Sequence, residues 1–238
     1  MTRSKTVVVT GATSGIGAAV ADAFRDSGAR LFLIGRDERK LRNAASRVPS
    51  AQLAGTGLAD LALPASIEAL VADAGKRLRR VDVLVHAAGE YGWTELGTAD
   101  VDGFDALFHT NVRGPYLLTQ CLLPLIERAR GHIVFVNSSI VRGVGNGVAA
   151  FKATQHALQG MTDSLRQDLN ARGIRVTSLF PGRTATPRMR RIYARGGQSY
   201  VPDLLLRPRD VARLVVTLTS FPPAMEITDV HIRSLHQY

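Results

Sequence analysis

Short apolar runs alternate with stretches of helical periodicity from one end of the chain to the other. Runs at 7–9, 31–34, 51–58, 81–85, 133–136, 175–179 and 226–232 predict strands, of which 51–58 is the weakest. Helical spacing predicts helices over 16–27, 38–47, 65–78, 104–125, 149–170 and 208–219, with Pro115 and Pro124 adjusting the course of the fourth. Strands that alternate with helices imply βαβ units and a parallel sheet. Right-handed crossovers then make the sheet doubly wound. The expectation is an α/β fold built on one seven-stranded parallel sheet.

Composition narrows the class. A chain of 238 residues is most economically one domain, 1–238, and is long enough to bury a full core. Its 45% hydrophobic and 21% charged residues are ordinary for a globular protein. No apolar run approaches the ~20 residues that span a bilayer. Residues 1–5 lead straight into an apolar strand, and Cys121 is the only cysteine. Both fit a cytoplasmic chain without a disulfide framework. The net charge of +10 raises nucleic acid as a partner. The basic residues are scattered, however, and no aromatic-rich basic stripe accompanies them, so neither nucleic acid nor membrane is expected. The charge comes from 26 Arg against 4 Lys, which fits GC-rich codon usage. One local cluster, Arg183, Arg188, Arg190, Arg191 and Arg195, reads as a solvated loop or as part of a site.

The first chemical signal follows the first strand. Thr10-Gly11-Ala12-Thr13-Ser14-Gly15-Ile16-Gly17 opens the first helix. Glycines at that point let backbone amides approach a pyrophosphate, whose charge the helix N-terminus stabilises. The fold expectation becomes a Rossmann-type dinucleotide domain. At the end of the second strand, where an acidic residue would bind an adenosine 2′-hydroxyl, the chain has Gly35 and then Arg36. A guanidinium there pairs with a 2′-phosphate, so NADP(H) is expected as cofactor.

The Thr-Gly-x-x-x-Gly-x-Gly spacing resembles that of the short-chain dehydrogenase/reductase family, and the resemblance covers essentially the whole chain. His86-Ala87-Ala88-Gly89 resembles the family's Asn-Asn-Ala-Gly motif, with His for the first Asn. Asp60-Leu61 resembles the Asp-Val that touches adenine. Asn111 matches the helix-borne active-site Asn. Pro181-Gly182-Arg183-Thr184-Ala185-Thr186 matches the Pro-Gly-x-x-x-Thr that clamps the nicotinamide carboxamide. The resemblance therefore implies cofactor contacts from Gly11, Thr13, Ser14, Gly15, Ile16, Gly17, Arg36, Asp60, Leu61, Ala88, Gly89, Asn111, Gln155, Pro181, Gly182, Thr184 and Thr186, and no metal. The terminal segment 227–232 lacks the usual Val-Asp-Gly-Gly ending, so the family's common tetramer is not implied and a homo-oligomer stays open.

The active-site Ser, seven residues after Gly131 and thirteen before Phe151, falls on Ser138, with Ser139 as the alternative. Where the family has Tyr-x-x-x-Lys, this chain has Phe151 and Gln155. Phe cannot titrate and Gln carries no charge. No Tyr lies between Tyr116 and Tyr193, so a shift of register does not restore the motif. Lys152, three residues before Gln155, normally faces away but stays open as a side chain leaning toward the site at helical spacing; His156 points ~100° around the helix, and His109 reads as structural. Ser138 and Asn111 remain as catalytic candidates, and Gln155 can still hold a ribose through its amide. Two outcomes stay open: an oxidoreductase with another proton source, or a non-catalytic NADP(H) binder acting as sensor or partner. A cofactor-independent cyclase or isomerase is a third.

An aromatic ketone with a phenol beside its carbonyl would bring its own proton donor. Phe151 makes the pocket apolar where such a substrate would lie. The excursion 187–202, with Met189, Ile192 and Tyr193, is expected to form a short substrate lid. The expected activity is NADPH-dependent ketone reduction of the kind found in aromatic polyketide antibiotic tailoring.

Overall fold

The computed structural model describes residues 4–93 and 95–236. Seven strands form one parallel sheet: β1 (Thr6–Thr10), β2 (Arg30–Gly35), β3 (Leu53–Leu58), β4 (Val83–His86), β5 (His132–Val136), β6 (Arg175–Pro181) and β7 (Asp229–Ile232). Their order is β3-β2-β1-β4-β5-β6-β7, with Val8 facing Phe32 on one side and Leu84 on the other. The order reverses direction between β1 and β4, and a doubly wound sheet opens its ligand crevice at that switch.

The pleat sends alternate residues of each strand to opposite faces, where separate apolar clusters receive them. Val8, Phe32, Leu84, Ile133 and Phe135 pack on one face against helices α3 (Pro64–Arg77), α5 (Gly114–Glu127) and α6 (Ala149–Asn170). Val7, Val9, Leu31, Leu33 and Val85 pack on the other against α1 (Gly15–Asp26), α2 (Glu38–Ala45) and α8 (Pro208–Ser220). Strands covered on both sides explain the near-continuous apolar runs of the central sequence. No helix among the described residues is long and apolar enough to cross a membrane.

Three elements differ from the sequence expectation. The helix expected over 104–125 is broken into α4 (Val101–Phe108), a π-turn at His109–Arg113 and α5. Pro115 has no N–H to give to the carbonyl of Asn111, and Gly114 N–H reaches back to His109 O instead. The last strand begins at Asp229 rather than at residue 226, because Glu226 accepts from Val176 N–H (2.7 Å) and Asn170 Nδ2 (2.8 Å) through its side chain. The excursion at 187–202 contains a helix, α7 (Pro187–Arg195), where only a lid was expected. Thr186 starts that helix by accepting from Met189 N–H at 3.1 Å.

Candidate active site and dinucleotide cleft

The cleft is built from the loop that leaves β1. Gly11 (φ 65°) and Gly15 (φ 55°) adopt left-handed backbone, and a Cβ on Gly11 would stand 2.8 Å from Ala88 N. A Cβ on Gly17 would fall 2.3 Å from Gly11 O, so only glycine lets α1 start this close to the strand end. Thr10 ties the opposite wall in place, its Oγ1 accepting from Ala87 N–H and Ala88 N–H at 3.0 Å each. Ser14 caps α1 without a side-chain hydrogen bond, and the first turn carries no acidic residue. The N–H groups at that helix end are therefore served by no side-chain cap, the arrangement that receives an anion. Together with the glycine approach it fits the pyrophosphate of a dinucleotide.

Toward the adenosine end, Arg36 extends into the open and pairs with Glu90, Nη1 to Oε1 at 2.6 Å. Thr13 packs over Gly35, where a Cβ would meet its methyl at 2.7 Å. Asp60 accepts from Ala62 N–H at 2.9 Å, and the Leu61 side chain lies in the core. Arg188, from the first turn of α7, donates to Gly89 O on the loop after β4. Pro181 is buried at the end of β6, Thr184 donates to Gly182 O (2.8 Å), and the Thr186 methyl faces Gly15. The two loops that would flank a nicotinamide are thus in mutual contact.

At the reaction end, residues 151, 154, 155 and 158 form the buried face of α6, at i, i+3, i+4 and i+7. Asn111 meets this face from the π-turn. Its Nδ2 donates to Thr154 Oγ1 (3.1 Å) and Glu90 O (3.0 Å), and its Oδ1 accepts from Glu90 N–H (2.7 Å). The Asn111 amide thus ties the loop after β4 to α6. Asn137 makes a second brace, giving Nδ2 to Gln155 O at 3.0 Å and taking Ser138 N–H at 2.7 Å. Ser138, two residues past the end of β5, has its Oγ accepting from Ile140 N–H (3.3 Å), while Ser139 lines a neighbouring groove. Lys152 Nζ is held by Gly143 O at 2.6 Å, and His156 is exposed.

Two titratable groups in the sheet, His86 at the end of β4 and His132 at the start of β5, are kept neutral by burial. His86 contacts Thr119 Oγ1 (2.9 Å) and stacks on Phe135, and desolvation lowers its pKa to about 3. His132 contacts Thr177 Oγ1 (2.7 Å), and burial first, then Arg175 and Lys5, lower its pKa to about 3. Neither is placed to exchange protons with a ligand near neutral pH.

The sequence reading missed an aromatic wall. Tyr91 meets Phe151 edge-on with ring centroids 5.0 Å apart, and Arg195 of α7 lies 5.0 Å over Trp93. Burial raises the Tyr91 pKa, while Arg183 and Arg195 pull it down. The segment 187–202 continues the pattern: Tyr193 is buried, sets its ring edge-on to Tyr200 (5.8 Å), and accepts from Arg183 Nη1 at 3.3 Å. Met189 and Ile192 are half-buried on the same helix. The available signal was Glu90-Tyr91-Gly92-Trp93 directly after the Ala-Ala-Gly motif, a place for ligand-facing side chains in this topology.

Fold and cleft together define a dinucleotide-binding oxidoreductase scaffold. Residues 5–195 match the short chain dehydrogenase family, and the chain belongs to it. It is 28% identical over 234 residues to an uncharacterised oxidoreductase of Staphylococcus saprophyticus, covering 97% of both chains. Among solved structures it is similar to a variant of the actinorhodin polyketide ketoreductase with NADPH, at 28% identity, 96% and 95% coverage and a TM-score of 0.86. It also shares its fold with an alcohol dehydrogenase of the archaeon Thermococcus sibiricus complexed with 5-hydroxy-NADP, at 23% identity, 99% coverage of both chains and a TM-score of 0.88.

Proposed function

We propose that this chain is an NADPH-dependent ketoreductase acting on an aromatic polyketide ketone without the family's Tyr and Lys. The setting in this proposal is the tailoring of an aromatic polyketide antibiotic, of which simocyclinone is an example, and the cytoplasm is the expected compartment. The observation that carries the reading is a dinucleotide cradle that fits its ligand, beside a reaction end whose α6 face offers Phe151 and Gln155. NADPH, when bound, supplies the hydride. Arg36 is the residue that selects the 2′-phosphorylated form, and its Glu90 partner is exchanged for the phosphate.

The chain's own residues then hold and shield the substrate. Phe151 and Tyr91 present a ring edge and an apolar face to a flat aromatic system, and α7 with Met189, Ile192 and Tyr193 covers it. Ser138 Oγ takes the carbonyl oxygen as its hydrogen-bond partner. The proton reaches the new alkoxide oxygen from a hydroxyl adjacent to the ketone on the substrate, and water reprotonates that hydroxyl. Positioning supplies effective molarities of ~10⁵–10⁸ M, against ~10²–10⁴-fold for a protein general acid, so the larger contribution survives the loss.

The test is stoichiometric NADPH oxidation with a hydroxylated aromatic ketone and isolation of the carbinol. Carbinol formation supports the reading. Tight NADPH binding without turnover on any ketone makes the chain a sensor or partner protein. Conversion of the substrate without nucleotide makes it a cyclase or isomerase.

A further inference from the structure

An open groove of about 610 Å³ lies between the turn Ser139–Arg142, Gly182 and Arg183 after β6, Leu204 and Leu205, and the end of β7. Arg142, Arg183, Arg233, His231 and His236 line it together with the hydroxyl-bearing Ser139 and Ser234, and no Asp or Glu is among its lining residues. Several of these groups are held in place. His231 stacks flat on Phe180, with centroids 4.2 Å apart and planes 4° apart. Arg183 is pinned by the Tyr193 hydroxyl and lies 5.7 Å over its ring. Arg142 and Arg183 form no ion pair with a carboxylate among the described residues. Like charges around one cavity create a positive field that a counter-anion relieves.

We propose that this groove is an oxyanion site, taking a carboxylate or phosphate group beside the catalytic loop. The ligand class follows from the lining: planar guanidinium forks match carboxylate and phosphate oxygens, and Ser139 adds a hydroxyl donor. The positive field already registers at His231, whose pKa burial lowers first and Arg142 lowers next, with Asp229 opposing. The groove shares Ser139 and Gly143 with the loop after Ser138, and Gly182 with the Pro-Gly clamp. An anionic arm of the substrate, on the reductase reading above, or a free small anion could supply the group.

Inorganic phosphate is the first probe, followed by the imidazole resonances of His231 in the full chain. Saturable binding that raises the His231 pKa, weakened about tenfold in Arg142→Gln with NADPH affinity unchanged, is the expected result. A flat response, or an affinity indifferent to both Arg142→Gln and Arg233→Gln, overturns the site even if turnover is brisk. A second arm compares KM for a hydroxylated aromatic ketone bearing a carboxylate with that for its methyl ester. A tenfold KM rise in Arg142→Gln confined to the acid assigns the group to the substrate. Equal KM values with phosphate still bound assign it to a free anion. Phosphate binding without any turnover leaves the site standing while the reductase reading falls.

Discussion

On the proposed reading, Phe151→Tyr restores one half of the missing Tyr and Lys pair and is the most informative single substitution. The new hydroxyl would extend from a side chain that is 8% exposed and set against the Tyr91 ring at 5.0 Å. A Lys at 155 would contribute about 3 kcal/mol of Coulomb stabilisation to a phenolate ~5 Å away at an effective dielectric of ~20, or about two pKa units. Gln155 contributes no charge, and Lys152 is tied to Gly143 O at 2.6 Å. The introduced phenol therefore stays at the weak-acid end of its range, and burial without a partner costs about 1–3 kcal/mol. If the substrate already carries its proton donor, the added hydroxyl is redundant and kcat/KM changes by less than about tenfold. If the site merely lacks an acid, the variant regains part of the ~10²–10⁴-fold that general acids supply. Steady-state NADPH oxidation with a hydroxylated aromatic ketone reads the difference. A gain of a hundredfold or more refutes substrate-assisted protonation.

Further outcomes follow from the same contacts. His86 and His132, both near pKa 3 when folded and 6.5 when unfolded, leave the unfolded chain binding more protons below pH 6.5. Stability should therefore fall from pH 6.5 toward pH 3 by about 1.4 kcal/mol per unit for each His, with His86→Asn flattening the slope of urea midpoints against pH. Gly17→Ala puts a methyl 2.3 Å from Gly11 O, so a loss of about 1–3 kcal/mol in thermal unfolding is expected, with weaker NADPH binding. Wild-type Tm and Kd in that variant would show that the loop has slack. Arg36→Ala should cut the preference for NADPH over NADH by about 10–100-fold in direct titrations, and an unchanged ratio would remove Arg36 from cofactor selection.

The sheet was legible because its central strands are covered on both faces, so Val7, Val8 and Val9 are all apolar, and glycine punctuation marks the cleft. The glycines at 11 and 17 were legible for a different reason: a Cβ on either would collide with backbone, and Gly15 adds a left-handed φ. What sequence hid was side-chain exchange with the backbone. Glu226 replaces a strand hydrogen bond with its carboxylate, and the π-turn at Asn111 arises from a missing donor at Pro115 combined with contacts to residue 90. Motif spacing places Asn111 and Ser138 near the site, yet Asn137 and Thr154, which hold them, carry no motif of their own. Trp93, Gly89 and the arginines of α7 meet only in three dimensions, because they lie about a hundred residues apart, and Tyr91 finds Phe151 across sixty.

The most direct test of substrate-assisted reduction is a matched pair of aromatic ketones, one with a free hydroxyl adjacent to the carbonyl and one with that hydroxyl methylated. Both should bind against the Phe151 and Tyr91 rings, and NADPH oxidation is followed for each under single-turnover conditions. The account predicts reduction of the free phenol and a loss of about 10²–10⁴-fold for the methyl ether. Equal rates for the two would contradict it and locate the proton donor on the protein or in water.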